Sequence, residues 1–136
     1  MPDLDVRVNE LGLQGRCCTQ IMVQLALEER GEENDQMTDA VGVLCLGLFS
    51  GLGCGALSGG ALAMALLAGG PRAGAPVHGD LVAELVDWFR AQHGATDCDA
   101  LLDGDPAARF TRCPGIVGAT YAQAHDILDA HGLLRG

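Results

Sequence analysis

The sequence predicts an all-α fold, a compact bundle of about five to seven helices. Three observations carry this. Apolar residues recur at helical spacing in several separate stretches, and glycines stand where those stretches end. The one alternating segment, Leu4, Val6 and Val8, finds no later strand to pair with. The whole chain, 1–136, reads as a single helical domain, with 1–15 as an arm or short helix and 16–132 as a cysteine-containing core.

Taken in order, Gly15 ends the first segment. From 16 to 30, Cys18, Ile21, Met22 and Leu25 share one face opposite Gln20, Gln24 and Glu28, with Gly31 as the stop. The acidic run through Glu28, Glu29, Glu32, Glu33 and Asp35 reads as a solvated turn. A third helix is expected from about Asp35 to Ser50, with Met37, Val41, Leu44, Cys45 and Leu48 as its stripe. Another starts near Cys54 and ends by Gly69–Gly70. Gly47, Gly51, Gly55 and Gly59 recur every four residues and predict close packing around Cys54. Residues 71–78 are a linker. Asp80 to His93 is strongly amphipathic, with Leu81, Val82, Leu85, Trp88 and Phe89 inward. A short helix follows Thr96–Asp97, starting at Cys98, and Asp103–Pro106 is a turn. Proline favours the first helical position, so Cys113–Pro114 is expected to open the last helix, which stops at Gly132.

The net charge is -10, and the eight basic residues are all arginine. Without lysine, Schiff-base and P-loop chemistry is excluded. An acidic chain with one Trp, one Tyr and three Phe offers little to phosphates or bases, so no nucleic-acid partner is expected. The uncharged stretch between Asp39 and Arg72 is long enough to span a bilayer, but glycines interrupt it at 51–53, so membrane insertion is not expected. The N-terminal stretch is acidic and lacks an apolar signal region, which makes the cytoplasm the expected location. Clustered cysteines there point to metal or redox chemistry more than to structural bridges.

Six cysteines are the strongest functional signal. Cys18, Cys54, Cys98 and Cys113 each fall at an expected helix start, where orphan N–H groups and the helix dipole favour a thiolate. Arg16 and Arg112 stand nearby in sequence and add to this pull. Four such thiols can converge on one site, suited to a sulfur cluster or to reactive thiol pairs. No C-x-x-C occurs, so zinc-ribbon and thioredoxin-like spacings are absent. Cysteine is also a common buried filler, and the residues alone leave both readings open.

The ordered pattern resembles the family named for its cysteines, C_GCAxxG_C_C, to which a redox role is ascribed. Cys18 matches the first position. Cys54, Gly55, Ala56, Leu57, Ser58 and Gly59 match the central motif in its C-G-A-x-x-G form, preceded by Gly53. Cys98 and Cys113 match the third and fourth, and the likeness spans roughly residues 15 to 130. Cys17, beside the first position, and Cys45 are additional. The resemblance implies a compact helical redox protein that binds an iron–sulfur cluster or cycles a disulfide, partnered by an oxidoreductase or other redox protein. Cys18, Cys54, Cys98 and Cys113 are then the redox cysteines or metal ligands, and Gly53, Gly55, Ala56 and Gly59 the motif around them.

Three mechanisms are carried forward. The first is one-electron transfer through a cluster. The second is metal-free disulfide cycling, with Cys98–Cys113 and Cys18–Cys54 as couples. The third is a structural zinc site in an adaptor that catalyses nothing. The small-residue helix face also offers a homodimer contact. Cys45 reads as core filler and Tyr121 as core. His93 and His131 fall in last turns, where a cation is welcome. His78 and His125 are scattered, and Ser58 has no acid–base pair to activate it.

Overall fold

The computed structural model describes residues 4–68 and 79–134, and the expected 71–78 linker, with His78, lies outside them. Seven α-helices run through the described residues: α1 (Leu4–Leu13), α2 (Cys18–Glu29), α3 (Asp35–Ala40), α4 (Gly55–Leu67), α5 (Gly79–His93), α6 (Cys98–Leu101) and α7 (Arg109–Ala130). No strand forms among them; an isolated antiparallel bridge joins Gly53 to Asp97. The alternating N-terminal segment is helical, as Val8 and Leu11 find core neighbours while Val6 stays exposed.

The core lies between α2, α4, α5 and α7. It is built from Met22, Leu25, Met64, Leu85, Phe89, Tyr121 and Leu128. α2 is buried well beyond the single face expected, because Val23, Ala26 and Leu27 are covered too. Its close partner is α4, where glycines replace side chains. A Cβ on Gly55 would stand 2.7 Å from the Thr19 hydroxyl, and one on Gly59 2.8 Å from Met22 Cβ. The four-residue glycine pattern therefore splits. Gly55 and Gly59 serve helix contact, whereas Gly47 and Gly51 lie in a loop with positive φ.

The expected helix from 35 to 50 does not continue. After α3 comes a 3-10 turn, Val41–Leu44, and Cys45 is extended. Leu46, Gly47, Leu48, Phe49 and Gly51 then take φ of 53°, 61°, 61°, 56° and 74°. Each non-glycine residue in this left-handed region costs roughly 1–2 kcal/mol, so tertiary contacts override the apolar period here. The last helix also differs from expectation. It starts at Arg109, after a 3-10 turn from Pro106 to Ala108. Asp105 Oδ1 accepts from the Ala107 amide at 3.0 Å, so Asp105–Pro106 begins the helical run and Pro114 sits inside it. No helix among the described residues is long and apolar enough to cross a membrane.

Candidate functional site

The four cysteines of the expected site come from four elements. Cys18 is the first residue of α2, Cys54 the N-cap of α4 and Cys98 the first residue of α6. Cys113 is the exception. It lies one turn inside α7, not at its start. Two backbone bonds draw the second and third together: the Cys54 amide donates to Thr96 O at 2.8 Å and the Cys98 amide to Leu52 O at 2.6 Å. The Thr19 hydroxyl donates to Gly55 O at 3.3 Å, and this fixes α2 against the start of α4.

The thiols sense one another. Cys18 and Cys113 shift each other's protonation, and Cys54 and Cys98 add to the shift at Cys18. Cys54 feels Cys113 and Cys98, and Cys98 feels Cys113. The strongest mutual influence is between Cys18 and Cys113, a couple different from the expected Cys98–Cys113 and Cys18–Cys54.

Protonation differs sharply among the four. Accepting the Cys18 hydrogen bond holds Cys113 below the ordinary thiol value, and the Arg109 guanidinium one turn earlier adds to this. Cys18 is pushed well up, first by donating that bond and then by burial. Burial pushes Cys54 up to about 11, although the Ala56 and Leu57 amides pull the other way. Cys98 is also raised, chiefly by burial. A helix start alone therefore does not give a thiolate at three of the four positions, because desolvation outweighs the helix terminus. The arginines expected to help are occupied elsewhere: Arg112 pairs with Asp103 at 2.8 Å and Arg16 lies 3.9 Å from Asp39. Arg109 takes their place. Its i, i+4 spacing to Cys113 was visible in the sequence.

Cys17 and Cys45 are joined by a disulfide, with Cα atoms 6.1 Å apart. Cys45 is buried, as expected, but as a bridge partner and not as helical filler. Nothing in the local spacing announced this pairing across 28 residues.

The model of the family described as "Putative redox-active protein (C_GCAxxG_C_C)" matches residues 16–127. The chain belongs to the C_GCAxxG_C_C family. No curated protein and no solved structure matches it.

The matched span of this C_GCAxxG_C_C protein holds all four thiols and the bridge. In its central motif, Gly55 and Gly59 admit α2, Ala56 is fully buried, and Gly53 makes the bridge to Asp97. A cavity of about 270 Å³ opens beside Cys54, lined in part by Gly53, Leu57, Val82 and Arg90. The Ser58 hydroxyl donates to the carbonyls of Cys54 and Gly55 at 3.4 Å, a helix-internal role.

Other expectations shift. The Tyr121 hydroxyl is buried and donates to Glu29 Oε1 at 2.8 Å, and His125 Nε2 lies 2.7 Å from Glu29 Oε2. Glu29 is therefore tied to α7 and does not belong to a merely solvated turn. His93 sits against Phe89, ring centroids 4.6 Å apart, and burial lowers its pKa. Desolvation opposes the cation that the helix end would favour.

Proposed function

We propose that this protein exchanges thiols with a disulfide substrate, with Cys113 as the attacking sulfur and Cys18 as the resolving one. What supports this is the opposed protonation of the two sulfurs, each shifted chiefly by the other: Cys113 is held below the ordinary thiol value while Cys18 keeps its proton. Cys113 Sγ attacks one sulfur of the substrate, a mixed disulfide forms, and the first substrate thiolate leaves. Cys18, giving up its proton, attacks Cys113 Sγ and expels the second. The substrate gains two electrons and the two thiol protons, and Cys18 and Cys113 end as a disulfide. An oxidoreductase or other redox protein is the partner class this chemistry implies.

A second reading, a cofactor held by Cys18, Cys54, Cys98 and Cys113, draws support from the mutual electrostatic influence of the four thiols. An iron–sulfur cluster would supply one-electron transfer, and zinc would supply folding energy alone. Among the described residues, no group of three or more His, Cys, Asp or Glu side chains is placed to hold a metal ion. The residues as placed do not fit either group; the four sulfurs would have to close in further.

The test is mass-spectrometric mapping after titration of anaerobically purified protein with a small-molecule disulfide, alongside iron, acid-labile sulfide and zinc analysis. A Cys18–Cys113 bridge that forms and is reversed by dithiol is the expected result. Mixed disulfide that stays unresolved on Cys113 in wild-type protein, or bridges elsewhere, would overturn it. Stoichiometric iron and sulfide, lost when any of the four cysteines becomes serine, would install the second reading.

A further inference from the structure

The Cys17–Cys45 bridge anchors a segment that is otherwise held unevenly. On the N-terminal side of Cys45, α3 and the 3-10 turn are tied to α2 by side chains. Gln20 Nε2 donates to Thr38 O at 3.2 Å, and the Thr38 hydroxyl donates to Gln24 Oε1 at 3.4 Å. A Cβ on Gly42 would lie 2.8 Å from the Gln20 amide nitrogen, so the turn is pressed against α2. These contacts do not need the disulfide.

On the other side, residues 46–51 are held at their far end, where the Cys98 amide donates to Leu52 O at 2.6 Å. Between Cys45 and that point the hydrogen bonds stay within the segment, Leu52 N to Gly47 O at 3.1 Å and Ser50 Oγ to Leu48 O at 3.1 Å. Leu46, Leu48 and Phe49 are left-handed, a conformation that has to be enforced from outside. Leu48 is 53% exposed and Phe49 68%, so burial of those two side chains does little to enforce it. The bridge at Cys45 is next to the first left-handed residue.

This segment covers a thiol. Leu46, Phe49 and Gly51 form one wall of a cavity of about 140 Å³ whose other wall includes Cys98, Asp99 and Leu102. Gly51 is packed against the Asp99 carboxylate. Cys98 is only 8% exposed under this cover.

We propose that Cys17–Cys45 is a reducible latch: its opening by a dithiol frees residues 46–51 from the face of Cys98 and makes that thiol available to reagents and partners. One thiolate of the dithiol attacks Cys17 Sγ, the half-buried sulfur, because Cys45 is 2% exposed. The Cys17–Cys45 bond breaks and Cys45 leaves as thiolate. The second dithiol sulfur resolves the mixed disulfide and releases Cys17. The dithiol becomes a disulfide, and its two protons pass to Cys17 and Cys45. With the covalent anchor gone, the left-handed residues relax and the Cys98 side of the cavity opens. This inference stands apart from the Cys18–Cys113 exchange, since its readout is the accessibility of Cys98.

The experiment is pulsed maleimide labelling with peptide mapping. It compares native protein, protein reduced with dithiothreitol and desalted without oxygen, and the Cys45→Ser variant. The Cys98 labelling rate, taken relative to Cys54 in the same molecule, is expected to rise at least about tenfold in both opened forms. Hydrogen exchange in 46–52 should rise in parallel and exceed any change in α4 and α7. Equal acceleration of Cys98 and Cys54 would mean general loosening and would overturn the latch. So would an unchanged ratio, or a bridge that dithiothreitol cannot open in the folded protein. If Cys45→Ser does not fold, the reduced wild-type protein gives the same readout.

Discussion

Thiols in this protein are graded by what surrounds each sulfur. Cys113 accepts a hydrogen bond from Cys18 and lies near Arg109, so it carries the lowered pKa. Alkylation followed against pH is expected to show Cys113 reacting first, with its midpoint below the ordinary thiol value. Cys18→Ala, which removes the donor, should move that midpoint up and slow Cys113 labelling at neutral pH. Cys54 shows the opposite case. Its folded pKa of about 11 stands above the ordinary 9.0, so the folded state keeps a proton that the unfolded state releases. The resulting stabilisation is complete below pH 9 and is lost as pH rises towards 11. The total is about 2–3 kcal/mol for this shift. Denaturant titrations between pH 8 and 11 should show that decline, and Cys54→Ser should make it shallower by about that amount, leaving the part due to Cys18 and Cys98. Tyr121→Phe keeps the buried ring but deletes the bond to Glu29. Glu29 is partly exposed and can be rehydrated, so a loss of about 1–2 kcal/mol in unfolding free energy is expected.

At the scale of elements, α2 and α4 approach closely because α4 lacks side chains where they meet. Gly59→Ala would set a Cβ 2.8 Å from Met22 Cβ and 3.1 Å from Thr19 Cα. Backbone cannot yield as a side chain can, and the overpacking should cost about 1–3 kcal/mol. Gly12→Ala in α1 is the control. Its Cβ would meet nothing within 4 Å, so the same substitution should raise stability by about 0.5–1 kcal/mol. Chemical denaturation of the two variants should give opposite signs. Periodicity in the sequence located α2, α4 and α5 well, since each presents an apolar surface to the core. It failed at 46–51, where Leu48 continues a helical stripe that the left-handed backbone does not honour.

For the whole molecule, the disulfide joins the start of α2 to the end of the 3-10 turn across 28 residues. Closing a loop of that length stabilises by about 3–4 kcal/mol through the unfolded chain. Removing it with Cys17→Ser should lower the denaturant midpoint by a corresponding amount, measured by circular dichroism. The rest of the molecule is held by the core between α2, α4, α5 and α7, which does not include Cys45. The folded state is therefore expected to survive without the bridge in mild conditions.

The sequence by itself determined the helical class, the family and the candidate cysteines, because these rest on local period and on ordered motifs. Glycine spacing also signalled tight packing at Cys54. Only the tertiary structure decided which sulfurs meet. Cys17 bonds to Cys45 across 28 positions and Cys18 influences Cys113 across 95, and chain folding alone brings such residues together. It also decided which thiol ionises. A helix terminus is a local property that a sequence can show, but the desolvation that overrides it at Cys54 and Cys98 comes from neighbours that only the fold supplies.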